Sequence, residues 1–489
     1  MRVMLALTSL FLQIYLALNS YVICSLGFTL YLQRIDMDVM FLGDNCVRKA
    51  RPIYIEIAGA DQILRGSLNR RGRDNSMGDK LTALEKKWIL YDVANSAFTM
   101  MVSTIIPIYF NQLGKQAGIS EVNYLAYWGY TISISTLIVA ILGPVLGAAA
   151  DKGRRKKFYF ALTIILGAIG CAALGFVREW LIFLVVFCIV KSVYSLSLVI
   201  YDSTLADVTT PERMDNVSSQ GYAWGYIGSC VPFIACLVLV LGSGSIGMSQ
   251  MMALSVSLVI TALWWMGVSV PILKSYRQVN YLTGGEEHHN ILKQLGSSLK
   301  DVVKDRKILF FLLAFFFYID GVYTIIDMST AYGSALGLGT TDMLLALLVT
   351  QFVAFPFAIL FGKLSQKGMS EKLIMVSIVA YTGIAIFAFF MSASWQFWVL
   401  AVCVGMFQGG IQALSRSYFT KIIPAERSGE FFGFYDICGK GASVIGSTLM
   451  GLVSQVTGSV NYGVGVIAIF FIIGLALFIV STRQKSAQE

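Results

Sequence analysis

From Trp88 onward the chain repeats one pattern, an apolar run followed by a short polar connection. Twelve such runs occupy 88–110, 125–150, 158–177, 181–201, 217–242, 251–273, 308–329, 343–362, 373–395, 396–415, 431–454 and 462–481. Each has the roughly 20 residues that a helix needs to cross a hydrocarbon layer at about 1.5 Å per residue. Backbone groups in a bilayer must pair within their own segment, so each run predicts a membrane-spanning helix.

The polar positions inside those runs carry the next signal. In the first run Asp92, Asn95, Ser96, Thr99 and Ser103 fall on one helical face. The fourth carries Lys191, Tyr194, Ser195 and, at its end, Asp202; the seventh carries Asp320, Tyr323, Thr324 and Asp327. The tenth carries Gln408, Gln412, Ser415 and Arg416. A charge within a span costs about 2.5–3.5 kcal/mol even on insertion scales, and such residues face a bundle interior or a water-filled cavity. Stripes on helices 1, 4, 7 and 10, with 2, 3, 6, 9 and 12 nearly free of them, predict a cavity walled by those four. Polar residues that glue helix to helix would explain single positions but not the periodicity. Lys191 and Asp320 lie near the midplane. They could receive the carboxylate and amine of a zwitterion, Asp320 could carry a coupling proton, or the two could pair with each other. Asp92 lies near a membrane face, as a cap or a second proton site. Asp436 and Lys440, at i and i+4, predict a structural ion pair.

Composition agrees with a membrane protein and sets its orientation. The 489 residues are 56% hydrophobic and 13% charged, with a mean hydropathy of +0.71. Soluble domains carry about twice that charged share. The net charge of +9 would suit nucleic acid, but its distribution argues otherwise. With the segment before Trp88 placed inside, 24 Lys and Arg from Lys80 onward lie on the inner side and only Lys115 and Arg178 outside. That bias predicts cytoplasmic termini and a multi-pass protein of the cell membrane. The eight cysteines are scattered singly, and the two histidines, His288 and His289, sit beside Glu286 and Glu287 in a loop that reads as solvated. No phosphate-cradling Gly-rich motif and no nucleophile–base or metal constellation stands out. The sequence thus predicts no enzyme, no cofactor and no bound metal.

The long connection 274–307 divides the helices six and six. Within it Ile291, Leu292, Leu295, Leu299, Val302 and Val303 recur at helical spacing among charges, an amphipathic surface helix. The halves echo each other: Pro211-Glu-Arg-Met-Asp-Asn resembles Pro424-Ala-Glu-Arg-Ser-Gly, and Gly143 to Lys157 resembles Gly362 to Lys372. Such repeats characterise transporters that rock around a central site. The expected domains are 77–273, a linker at 274–307, and 308–489. Residues 1–76, with an apolar run at 3–33, are expected to be an extension upstream of a start at Met77 or a signal-like segment.

The loop Gly143-Pro-Val-Leu-Gly147-Ala-Ala-Ala-Asp151-Lys-Gly-Arg154-Arg155-Lys-Lys157 resembles the Gly-x-x-x-Asp-Arg/Lys-x-Gly-Arg-Lys signature of the major facilitator superfamily. Arg154 falls where the second Gly would be, unless one residue is missing. The acid and the bases after it can make a charge lock at the inner face, with Gly147, Asp151, Arg154 and Arg155 as its residues, or merely hold anionic lipid. Further segments resemble the vacuole-effluxer branch, the autophagy-linked fungal amino-acid effluxers and their bacterial relatives. They are Trp88-Ile-Leu-Tyr-Asp-Val-Ala-Asn-Ser-Ala-Phe98, Tyr318-Ile-Asp-Gly-Val, Gln351-Phe-Val-Ala-Phe-Pro356, Gln408-Gly-Gly-Ile-Gln-Ala-Leu-Ser-Arg-Ser417 and Glu430-Phe-Phe-Gly-Phe-Tyr435. The resemblance covers residues 85 to 482. It implies an all-α fold of twelve membrane helices in two pseudo-symmetric six-helix bundles and an alternating-access permease. For the fungal members it implies export of amino acids from the vacuole. The expected cargo is a small polar metabolite moved outward by a monomer, with protons as a candidate coupling ion. A transporter-fold sensor or a lipid flippase is the alternative, and the polar stripes oppose a lipid cargo.

Overall fold

A computed structural model describes residues 80–283, 291–335, 340–391 and 393–484. The expectations for residues 1–76 and for His288 and His289 lie outside the described residues. Among the described residues twelve helices are long and apolar enough to cross a membrane. They are α1 (Ala83–Ser103, continued as Ile105–Gln116), α2 (Glu121–Asp151), α3 (Lys156–Leu174), α4 (Trp180–Ser203), α5 (Met214–Leu241) and α6 (Gln250–Ser275). The second six are α7 (Arg306–Ala335), α8 (Thr340–Ser365), α9 (Ser370–Phe389), α10 (Ser394–Ile422), α11 (Ser428–Thr457) and α12 (Val460–Arg483). Leu166, Ile169, Ile189, Leu263, Ile469 and Ile472 are exposed, an apolar exterior that only lipid solvates well.

Helix ends follow local chemistry. Thr82 opens α1 with a capping box: its hydroxyl accepts from Glu85 N–H while the Glu85 carboxylate accepts from Thr82 N–H. Ser120, Glu179 and Ser249 cap α2, α4 and α6 in the same way, each accepting from a backbone N–H. α1 breaks at Thr104, three residues before Pro107. Proline has no N–H to offer the Ser103 carbonyl and its ring crowds that position.

The two halves pack by one plan. α1 lies on α5 and α6 as α7 lies on α11 and α12; α3 lies on α4 and α6 as α9 lies on α10 and α12; α2 lies on α4 as α8 lies on α10. The plan extends to side chains. Tyr91 on α1 shares a hydrogen bond with Ser197 on α4 at 2.9 Å, and Tyr318 on α7 shares one with Ser415 on α10 at 2.6 Å. The halves meet through α2 against α11 and α5 against α8.

The connection after α6 runs beneath the α2–α3 loop. Leu282 N–H donates to the Asp151 carbonyl and the Leu282 carbonyl accepts from Gly153 N–H. The helix Ile291–Lys304 follows, burying Gln294, Ser298 and Val302 while Leu299 and Val303 stay more than half exposed. Its apolar face is thus shared between protein and surroundings, with Val302 turned inward.

Candidate functional site

Where the halves face each other, α4, α5, α7, α10 and α11 enclose a cavity of about 60 Å³. Its wall includes Asp202, Tyr222, Tyr323, Gln412, Tyr435, Asp436 and Lys440. Asp436 and Lys440 form an ion pair at 2.6 Å, so the expected pair exists, but it lines the cavity. The ammonium of Lys191 on α4 interacts electrostatically with Asp327 on α7 and with Asp436 and Lys440 on α11. Both signs of charge therefore line the cavity, an acid from the first half and an acid and a base from the second, set among tyrosines and an amide. Among the described residues no group of three His, Cys, Asp or Glu side chains gathers as metal ligands.

One end of the cavity is stopped by Arg416. From α10 its guanidinium reaches into the first half, where Nη1 donates to Asp202 at 2.9 Å and Nη2 to Asp92 at 3.2 Å. Nε donates to Ser218 Oγ at 2.9 Å and Nη2 to the Ser218 carbonyl at 3.0 Å. The rings of Trp88, Tyr201 and Tyr222 surround it, 4.7, 5.6 and 4.4 Å away, as cation–π partners. One side chain thus ties α10 to α1, α4 and α5. Gly221 makes room for this: a Cβ there would press on Asp92 and Trp88 and stand 3.2 Å from Arg416 Nη2.

Below Arg416, at the end bearing the basic loops, α2 and α11 cross almost backbone to backbone at Gly147 and Gly429. Asp151 closes the crossing. Its Oδ1 accepts from Gly429 N–H at 3.0 Å and its Oδ2 from Glu430 N–H at 2.9 Å. A carboxylate of one half thereby caps a helix of the other, where free N–H groups and the helix dipole favour negative charge. Lys156 pairs with Asp151 at 3.1 Å and donates to Ser428 Oγ at 2.7 Å, and both charged side chains are fully buried. On the opposite edge Asp215 of α5 accepts from Ser417 at 2.6 Å and pairs with Lys421 at 2.7 Å, both on α10.

The basic partner of Asp151 is therefore Lys156, and neither Arg154 nor Arg155, which are exposed. Gly153 and Arg154 both take positive φ, 57° and 62°, and the turn swings Lys156 back onto Asp151. Arg154 stacks over Tyr281 at 4.7 Å. Its left-handed backbone is a conformation that glycine adopts without strain.

The other expected residues divide between the cavity and the bundle interiors. Asp92 holds Arg416, while Asn95 donates to Asp92 at 3.3 Å and accepts from Tyr194, which bonds Thr99 at 2.6 Å. Ser96 rests against Gly225 of α5. Gln412 lines the cavity, while Lys191 lies within electrostatic reach of its Asp436 and Lys440 and of Asp327, which is exposed. Asp320, Thr324 and Gln408 do not line it. Asp320 is fully buried between α7 and α11, where its Oδ1 accepts from Thr324 at 3.1 Å and from Gly446 N–H at 3.2 Å. Oδ2 has no hydrogen-bond partner among the described residues. Gln408 lies in a pocket with Thr350 and Gln351 inside the second half. Lys191 and Asp320 thus neither pair nor face one space. The stripes missed the importance of Asp202 and Arg416, placed at span ends and noted only as their last members.

Residues 84–212 and 206–489 match the family described as "Vacuole effluxer Atg22 like". The chain is 42% identical over 418 residues to an uncharacterized MFS-type transporter, YxiO, of Bacillus subtilis, covering 84% of this chain and 97% of that one. It is 21% identical to autophagy-related protein 22 of Kluyveromyces lactis, over 80% of this chain and 92% of that one. Among solved structures, the major facilitator transporter FucP in its outward conformation aligns with a TM-score of 0.63 at 16% identity, covering 82% of this chain and 98% of that one. A bacterial homologue of the iron transporter ferroportin, in an outward-facing state, aligns with a TM-score of 0.60 at 16% identity, over 82% and 99%. Twelve helices packed as two like halves, the closed α2–α11 crossing and these similarities lead to one conclusion: the chain belongs to the Atg22-like vacuole-effluxer family of the major facilitator superfamily.

Proposed function

We propose that this protein is a secondary transporter that exports a small polar metabolite, an amino acid foremost, from the cytoplasm across the cell membrane by alternating access. The observation that carries the reading is the cavity between the halves, lined by both signs of charge and stopped at one end by contacts that cross between the halves. A solute with an ammonium and a carboxylate meets Asp327 or Asp436 for one group and Lys191 or Lys440 for the other. The tyrosines and Gln412 supply hydrogen bonds. The cross-half contacts lie at the basic end, which the distribution of Lys and Arg makes cytoplasmic, as it does both termini. In this reading the described arrangement is closed inward, and rocking of the halves opens it. The buried carboxylates Asp92 and Asp320 are candidate proton carriers.

The test is release of a mixed amino-acid pool from proteoliposomes holding the full chain, with and without a proton gradient, read by mass spectrometry. Selective release that Lys191→Gln and Asp327→Asn abolish supports the reading. A pool that leaks no faster than from empty liposomes sinks an amino-acid cargo. Uphill transport that survives Asp92→Asn with Asp320→Asn removes both carboxylates as proton carriers.

A further inference from the structure

We infer that Asp202 is the switch joining the cavity to the inner seal, and that a proton arriving on its carboxylate breaks its ion pair with Arg416 and lets the basic end open. The inference rests on the transporter reading, but concerns a conformational step and needs no cargo.

Asp202 both bonds Arg416 and lines the cavity. Asp92, the other carboxylate on the guanidinium, is only 7% exposed and accepts a hydrogen bond from Asn95. Asp436 lines the cavity but is held by Lys440. Only Asp202, among these three, has one side toward the lock and the other toward the solute space. Charge counting points the same way. Asp92 and Asp202 present two negative charges to one guanidinium, so taking up one proton leaves a neutral Arg416–Asp92 pair and removes the ion pair between α10 and α4. The groups facing Asp202 are Arg416 on α10, Asp92 on α1, Tyr222 on α5, Tyr323 on α7, and Tyr435, Asp436 and Lys440 on α11, with Tyr201 its neighbour on α4. Arg416 is the cation that touches it, and the proton competes with that one contact.

The test uses spin labels on Glu212→Cys and Lys367→Cys, exposed positions in basic-end loops of the two halves. The full chain, with its native cysteines replaced, is placed in liposomes without solute. Inter-label distances are measured by pulsed electron resonance at pH 8 and pH 5. In the otherwise unchanged protein a longer distance gains population at pH 5. Asp202→Asn shows the longer distance at both pH values, its open-to-closed ratio at pH 8 raised about tenfold, within the usual span of coupling between sites. Asp202→Glu keeps the response but moves its midpoint, which serves as the readout should the Asn variant not fold. Distances that ignore pH in the parent, an Asp202→Asn variant that follows pH as the parent does, or an unmoved midpoint in Asp202→Glu overturns the inference. Loss of solute release with an intact distance response would instead strike the cargo reading alone.

Discussion

Replacing Gly147 by alanine tests whether the α2–α11 crossing is what closes the basic end. The added methyl would press into the Gly429 carbonyl and stand 2.9 Å from Glu430 N, where ordinary contact is 3.4–4 Å. Both obstacles are backbone, so no side chain can swing away. The helices must part by about an ångström, on the order of the gap between an ordinary contact and this one. That displacement takes the two bonds from Asp151 to Gly429 and Glu430, now 3.0 and 2.9 Å, beyond hydrogen-bonding reach. Each has a charged acceptor and contributes about 1.5–3 kcal/mol. Water enters the parted crossing and returns part of this, leaving a bias of about 3 kcal/mol against closure, roughly 150-fold. Asp151 keeps Lys156 within its own half, so neither bundle need unfold. The assay is pulsed electron resonance between the same two loop positions at pH 8, beside a thermal unfolding curve. The expected result is a distance distribution moved largely to the open form with a thermal midpoint within a few degrees of the parent. A Gly147→Ala protein that keeps the closed distance would refute the reasoning, because the crossing would then tolerate a gap the structure leaves no room for.

The loop between α2 and α3 gives two further predictions. Lys156→Met leaves the buried Asp151 carboxylate without its cation and should cost about 3–5 kcal/mol, while Arg155→Ala, at an exposed site, should stay within about 0.5 kcal/mol. Equal thermal midpoints for the two would show that Lys156 is not the partner that matters. At Arg154, whose φ is 62°, valine should destabilise by about 1–2 kcal/mol while glycine should be neutral or better, since it adopts that conformation without strain. Similar losses for both would assign the effect to the lost stacking on Tyr281.

How far the sequence foretold this molecule depends on what each feature needs. Helix number, length and pairing need only local apolarity and a repeat, and the apolar runs carry both. The division of the α7 stripe needs more. At about 100° per residue, Tyr323 lies near −60°, Asp327 near −20° and Thr324 near +40° relative to Asp320. A stripe about 100° wide straddles the border between cavity wall and bundle interior. Tyr323 falls on the cavity side, and Asp320 and Thr324 fall against α11 and the pocket beside it. Periodicity finds such a stripe but not the line that cuts it. The choice of Lys156 among five bases turns on two left-handed residues, one a non-glycine, which no charge pattern reveals. Arg416 and Asp92 are 324 positions apart; their meeting follows from how the halves dock, which is absent from either stripe.

The symmetry of the halves makes their one large departure informative. Ser197 is to Tyr91 as Ser415 is to Tyr318, so the residue after each serine occupies matching places. In the first half it is Leu198, which lines the cavity; in the second it is Arg416, which crosses into the other half. The substitution gives the second half a cation that reaches into the first at the basic end, where the first half has an apolar residue. It also fixes a charge balance that can be tested by rescue. Arg416→Gln leaves Asp92 and Asp202 facing each other with no guanidinium, and an uncompensated buried charge costs about 3–5 kcal/mol. Adding Asp202→Asn removes one of the stranded charges and should return at least half of the lost thermal stability, because replacing both partners is far milder than removing one. The double variant should therefore be more stable than Arg416→Gln alone, and well above the sum of the two single losses. Strictly additive losses, as for residues that do not interact, would mean the contact contributes nothing and that the asymmetry at 198 and 416 has some other origin.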